Sequence, residues 1–215
     1  MDSGLSAFVV VMLVLQCLIF GTVIASDPDP LTDFSPDAHN FTLRNIFING
    51  DVSHGPGGTR AALDTKIFPG ITSQAITYVQ FKMLPCGINL PHTHPRATEL
   101  LTLVSGGPIE VGFVDTSGVA HIDILNPGDV TVFPRGMLHF EQNVGKTIAF
   151  YISALDSQNP GTLTSAGALF QLPTVALATA LNQTGAAVTA INSTLYAYGP
   201  SLQMSSVSGC VPGRY

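Results

Sequence analysis

Gly87-Ile-Asn-Leu-Pro-His92-Thr-His94-Pro-Arg-Ala-Thr-Glu99, completed by Gly128-Asp-Val-Thr-Val-Phe-Pro134-Arg-Gly136-Met-Leu-His139-Phe-Glu-Gln-Asn143, supplies three imidazoles and one carboxylate from two separate segments. Side chains two apart on an extended strand point to the same face, so His92 and His94 can grip one ion from one side. Glu99 follows His94 by five residues, an odd offset that would put it on the opposite face of an unbroken strand. Pro95 donates no ladder hydrogen bond and restricts its predecessor, so a break there is expected to let the chain bend and return Glu99 to the ion. His139 is expected from a second hairpin, set by the Pro127-Gly128 turn and reached through a Pro134-Arg135-Gly136 turn. Three neutral nitrogens and one carboxylate leave two positions open on an octahedral ion. That suits Mn(II) or Fe(II) doing chemistry better than a closed structural site, although Zn, Ni and Cu bind the same donors.

Around these segments the chain reads as a turn-rich β protein. Strand-like runs cover 76–83, 98–104, 109–114, 121–125, 129–133 and 149–155, separated at short intervals by turn residues as in a sandwich or small barrel. From Pro173 the pattern changes to two short helical segments, 174–181 and 186–195, with 182–185 between them. There is no internal repeat and no low-complexity tract.

The termini and composition set the compartment and exclude some partners. Residues 5–25 are an apolar run ending in Val23-Ile-Ala25 before Ser26, which reads as a cleaved secretory signal, 1–25, ahead of one domain, 26–215. No Lys or Arg precedes the run; Gln16, Gly21 and Thr22 weaken its reading as a membrane anchor. A net charge of −6 with only 8 Lys and Arg argues against nucleic acid. The scarcity of charge also favours burial of apolar surface against copies of the same chain. Three sequons, at Asn40, Asn182 and Asn192, are candidate glycosylation sites.

The two motif segments resemble the paired motifs of the cupin superfamily, and the residues around them resemble germin-like proteins. The first motif keeps His92-x-His94, Glu99 and Gly106; the second keeps Gly128, Pro134, Gly136, His139 and Asn143. The resemblance continues through Ser26-Asp-Pro-Asp-Pro-Leu-Thr-Asp-Phe34, Gly112-Phe-Val-Asp-Thr116 and Ser157-Gln-Asn-Pro-Gly-Thr162. It implies an all-β cupin jelly-roll barrel with short C-terminal α-helices at about 173–198. It also implies His92, His94, Glu99 and His139 as ligands of Mn(II), with Fe the lesser candidate, and a secreted hexamer built from three dimers whose C-terminal helices clasp neighbouring subunits. The location implied is the extracellular space, apoplast or cell wall, with no membrane partner after signal cleavage.

The cysteines depart from that family. Its amino-terminal disulfide is missing: Ser35 follows Asp-Phe, and no cysteine lies near residues 49–53. Cys86 stands where the family usually has glycine, and a buried thiol is preferred here over a disulfide to Cys210.

Three functions fit the family and the ligands. Superoxide dismutation by Mn leads, with superoxide or another small oxygen-rich anion as the partner molecule. A non-catalytic, extracellular metal-binding, receptor-like or wall-structural module is the alternative. Oxalate oxidation is disfavoured: true germins place two asparagines near the metal, and Asn89 matches one while Val79 stands at the other. Losing that amide costs on the order of 1–3 kcal/mol of substrate binding. Asn143 is read as a turn-fixing side chain beside the site rather than a ligand. Arg96 and Arg135 are candidates for steering an anion, but pairing with a carboxylate is the preferred reading. His39, His54 and His121 are read as surface or loop residues.

Overall fold

The computed structural model describes residue 33 and residues 37–195, 201–205 and 209–214. The expected signal sequence lies outside these residues. Among the described residues, ten strands form the architecture: β1 (Asp51–Gly55), β2 (Gly58–Ala62), β3 (Thr77–Met83), β4 (Gly87–Thr93), β5 (Glu99–Val114), β6 (Ala120–Leu125), β7 (Val130–Phe133), β8 (Leu138–Leu155), β9 (Leu163–Thr164) and β10 (Gln203–Met204). The helices are short: α1 (Ile46–Asn49), α2 (Ser165–Leu169), α3 (Thr174–Leu181) and α4 (Gly185–Asn192).

The strands form one curled sheet organised by two long antiparallel neighbours, β5 and β8, which pair along their whole length. The second half of β8 pairs with β3, extended outward by β2 and β1, whereas its first half pairs with β4. On the far edge of β5, β7 covers residues 99–102 and β6 covers residues 109–114. Each long strand therefore serves two half-sheets, which turn toward each other at register shifts between Leu103 and Ile109. β-bulges bend a strand and strengthen its twist, which curls the halves around a shared interior. Gly106 is required at this bend. It has φ +75°, and a Cβ there would lie 1.8 Å from the Ile148 carbonyl oxygen.

The inward faces follow strict alternation. In β3, Thr77, Val79, Phe81 and Met83 are buried, while the residues between them face outward. Val79, Phe81 and Met83 pack with Leu101, Leu103, Ile109 and Val111 of β5 and with Tyr151 and Leu155 of β8 in one core shared by both half-sheets. Phe81 and Tyr151 stack with ring centroids 4.4 Å apart. The all-β barrel with short terminal helices is thus the architecture found.

Four sequence expectations need correction. The runs 98–104 and 109–114 belong to one strand, because the glycines between them bend it without ending it. The run 149–155 is the second half of β8, and β1 and β2, absent from the reading, flank β3. β7 and β8 form no hairpin; they pair with opposite edges of β5, Leu100 facing Val132 on one side and Ala154 on the other. Finally, Cys86 is not a free thiol but is disulfide-bonded to Cys210, with Cα atoms 5.9 Å apart. Cys86 occupies a left-handed turn between β3 and β4 at φ +60°. The C-terminal segment is delivered to that turn by the β10–β4 pairing and by a bond from the Ser205 amide to the Cys86 carbonyl.

The disulfide closes a loop across 124 positions of sequence. Crosslinks over such loops mainly restrict the unfolded chain, so Cys210→Ser is expected to lower stability by about 2–5 kcal/mol in urea denaturation under non-reducing conditions. A loss below about 1 kcal/mol would mean that the β10 pairing alone anchors the C-terminal segment.

Candidate metal centre

The predicted break at Pro95 occurs as expected. β4 ends at Thr93, residues 94–97 form a turn in which the Ala97 amide bonds to the His94 carbonyl, and Glu99 opens β5. His92 lies on β4 directly opposite His139 on β8, whereas His94 sits just past the strand end. The 134–137 turn, with Gly136 at φ +76°, leads into β8; the Gly136 amide bonds to the His94 carbonyl and ties the two motifs together. All four side chains are buried, at 2–8% exposure, and their donor atoms lie within 4.8 Å of one another. Donors about 2.0–2.2 Å from a common ion are themselves roughly 3–4.5 Å apart, so the cluster has the dimensions of one metal site.

Each imidazole is oriented by a backbone carbonyl: His92 Nδ1 by Leu90 and His139 Nδ1 by Met137, both at 2.8 Å, and His94 Nδ1 by Gly161. A carbonyl oxygen only accepts, so Nδ1 of each ring carries the proton and Nε2 keeps its lone pair. Glu99 Oε2 lies 3.0 Å from His94 Nε2 and 3.5 Å from His139 Nε2. His139 Nε2 is buried and has no hydrogen-bond partner among the described residues, as expected of an atom shaped for an ion. Phe133 stacks on the His139 ring at 4.5 Å and fixes its plane.

The electrostatics also suit a cation. Burial first, then the neighbouring His139 and His94, lower the His92 pKa to about 3, keeping it a neutral donor at physiological pH. Burial would raise Glu99, but its contacts with His139 and His94 outweigh this and hold the carboxyl below the usual carboxylate range. Glu141, fully buried two residues beyond His139, behaves oppositely. Burial and then the charge of Glu99 raise it well above the ordinary range, while Asn89, its cross-strand partner, opposes the rise. Tyr151 is raised likewise, by burial and then by Glu141 and Glu99.

A cavity of about 230 Å³ opens onto His92, His94 and Glu99. Val79, Phe81, Asn89, Arg60, Ser153 and residues 158–162 are among its lining. Asn89 therefore stands where expected, and Val79 presents an apolar wall. Asn143 does not line the cavity: its amide donates to the Met83 and Thr147 carbonyls and its oxygen accepts from the Gly145 amide, which fixes the bend within β8 instead of the expected turn. Arg135 pairs with Asp156 at 3.2 Å, the carboxylate contact preferred above. Among the described residues Arg96 has no carboxylate partner. It binds the Asn159 carbonyl at 2.6 Å and side-chain oxygen at 2.8 Å, pinning the loop whose Gly161 carbonyl orients His94. His54 and His121 are exposed, bonded to Thr59 and Asp115 respectively; the side chain of His39 lies outside those described.

Glu141, Arg60 and Ser153 were missed in the sequence. Glu141 was legible, since period-two alternation places it on the face of His139. Nothing near Arg60 or Ser153 marks them.

The comparisons agree with this geometry. A family model described as Cupin matches residues 44–197. The chain is similar to Germin-like protein 1-3 of Oryza sativa subsp. japonica, 34% identical over 88% of this chain and 95% of that protein. It is similar to Germin-like protein subfamily 1 member 14 of Arabidopsis thaliana, 35% identical over 74% and 83%. Among solved structures, oxalate oxidase in complex with the substrate analogue glycolate superposes with a TM-score of 0.67 at 28% identity, covering 78% of this chain and 97% of the other.

Acidification tests the two signs of pKa shift in metal-free protein. For His92 and Glu99 the folded-state pKa is depressed, so their stabilisation is complete above the unfolded values, about 6.5 and 4.3, and is lost as pH falls below each. For Glu141 the folded pKa is raised, so stability declines as pH rises above about 4.3. Glu141→Gln removes only that decline. The variant is expected to exceed wild type in stability at pH 7, with the gap narrowing by up to about 1.4 kcal/mol per unit toward pH 5, read by urea denaturation. A gap that widens on acidification would contradict the assignment.

Proposed function

Because the chain belongs to the germin-like branch of the cupin family, we propose that it is a secreted, oligomeric, manganese-binding protein with superoxide dismutase-type activity. The observation that carries this reading is the convergence of three Nε2 lone pairs and the Glu99 carboxylate at the inner end of a solvent-connected cavity. Such a donor set suits Mn(II), with Fe(II) second, and leaves coordination positions free. A redox-active ion held there would supply one-electron exchange with superoxide. The protein's own contribution is to hold the imidazoles in one tautomer, keep His92 neutral and Glu99 ionised, and limit access to one small cavity.

Oxalate oxidation is not proposed, despite the fold shared with oxalate oxidases. Val79 lines the cavity with no hydrogen-bond donor at the position where true germins have an amide. Secretion is supported by the Cys86–Cys210 disulfide, which persists in oxidising compartments. No helix among the described residues is long and apolar enough to cross a membrane. Asn182 and Asn192 are exposed and open to glycosylation, and Asn40 is partly so. Self-association, with a hexamer of three dimers as the expected state, is supported by exposed apolar residues on the outer face: Leu100, Val104, Val130, Val132 and Ile148. α3 and α4 pack chiefly on each other and leave Val175 79% exposed, which suits the clasping role.

The test measures superoxide consumption by purified protein whose Mn content per subunit is known. The rate should be proportional to bound Mn, and His94→Ala should remove most of the metal and the activity together. Full Mn occupancy with no activity above free Mn would leave a metal-stabilised binding or wall-structural module. Oxalate should yield no peroxide above background; robust release would overturn the role given to Val79.

A further inference from the structure

Superoxide needs no fixed cation beyond the metal, yet this cavity has one. Its volume of about 230 Å³ leaves room beyond a diatomic anion. Arg60 of β2 lines it, in register with Phe81 and through Phe81 with Tyr151 on the inner face of the sheet. The Arg60 side chain is 17% exposed and interacts electrostatically with Glu99 as well as with Asp51.

The Asp51 contact accounts for little of this arrangement. It is one guanidinium nitrogen to one carboxylate oxygen at 3.5 Å, long for a charge-assisted bond, and the Asp51 side chain is 54% exposed. A guanidinium carries five N–H donors in a planar fork that matches a carboxylate in two parallel bonds. The same cavity presents the Ser153 hydroxyl, buried at 1% exposure with no hydrogen-bond partner among the described residues, and the amide of Asn89. Ala62, Leu63, Val79, Phe81 and Leu155 supply apolar wall.

We infer that Arg60 is the anchor of an anion subsite that takes a short-chain organic monocarboxylate, its carboxylate on the guanidinium and its carbon chain along Val79 and Phe81. One charge rather than two is specified by the lining: Arg60 is its sole described Lys or Arg, against three acids, Asp51, Asp64 and Glu99. A second carboxylate on the ligand would face those acids. The subsite shares the cavity of the function proposed above but depends on neither its metal nor its redox chemistry.

Butyrate is the probe, titrated calorimetrically into wild type and into Arg60→Gln, with butyramide and succinate as the neutral and doubly charged comparators. Wild type should bind butyrate at least about tenfold more tightly than either comparator, and Arg60→Gln should lose at least about tenfold, the factor expected for one charge-assisted contact. Melting temperatures identify any variant that has unfolded. Asp51→Asn provides an independent check: with the competing carboxylate gone, butyrate binding should tighten, whereas an Arg60 that serves only to pair with Asp51 would give no tightening. No detectable butyrate binding by wild type, or equal binding by wild type and Arg60→Gln, overturns the subsite. Metal analysis of the same samples separates the two readings, since Arg60-dependent binding in protein without metal sustains the subsite while the metal reading fails.

Discussion

Three hydrogen bonds from imidazole Nδ1 to backbone carbonyls are the constraint on which the site depends. Without them each ring could present either nitrogen and rotate freely; with them, three lone pairs are aimed at one point before any ion arrives. Each acceptor has its own structural source. Leu90 lies on β4 itself, Met137 ends the Gly136 turn, and Gly161 belongs to a loop distant in sequence and fastened by Arg96. Their independence means that no single segment of chain determines the geometry. His94 is the most exposed of the three to a remote change, because its acceptor is held by a side chain two residues away that reaches across to Asn159.

The surrounding barrel has an unusual distribution of charge for an interior. Glu99 and Glu141 are both fully buried, yet their environments drive them in opposite directions, one toward the carboxylate and the other toward the neutral acid. The difference comes from neighbours rather than depth: imidazoles stand beside Glu99, whereas Glu141 has mainly Glu99 itself and an amide. Two ionised carboxylates at such close quarters would repel strongly in a low-dielectric core. Separation of their protonation states lets one serve as ligand while the other remains buried without a counter-charge. Arg60, farther along the same wall, adds a positive charge to the cavity, which Arg96 and Arg135 of the motif segments do not line.

Much of the centre was legible because its signals are local. His92-x-His94 reports a shared face, Pro95 reports the break, and Glu99 needs only that break to rejoin the cluster. Asn143 was read as a turn-fixing side chain rather than a ligand because four stronger donors were present; its bonds do go to backbone, but at a bend inside β8 and not at a turn. What was not legible depends on chain partners far apart in sequence. Cys86 looked like a small buried residue until β10 brought Cys210 to it, and Arg96 looked like a partner for acid until the loop at Asn159 was in place. Arg60 lies on a strand that polarity and glycine content concealed: His54-Gly-Pro-Gly-Gly58 reads as an irregular loop, and only pairing with β3 makes the flanking segments strands.

The misreading of β5 and β8 follows from what glycine means in a sheet. Gly106-Gly107-Pro108 ordinarily ends a strand, and the sequence was divided there accordingly. In this fold those residues are the hinge of a continuous strand: they shift the register, allow the close approach of Ile148, and redirect β5 from one half-sheet to the other. β8 must bend alongside, and Gly145 occurs at that level, where a Cβ would meet the Gly107 carbonyl oxygen at 1.8 Å. The two glycine segments thus face each other across the paired strands, each needed by the other. The bend they permit is also functional. It carries His139, on the first half of β8, over the same interior that Glu99 enters from the first half of β5, so residues at opposite ends of two antiparallel strands arrive at one ion-sized space.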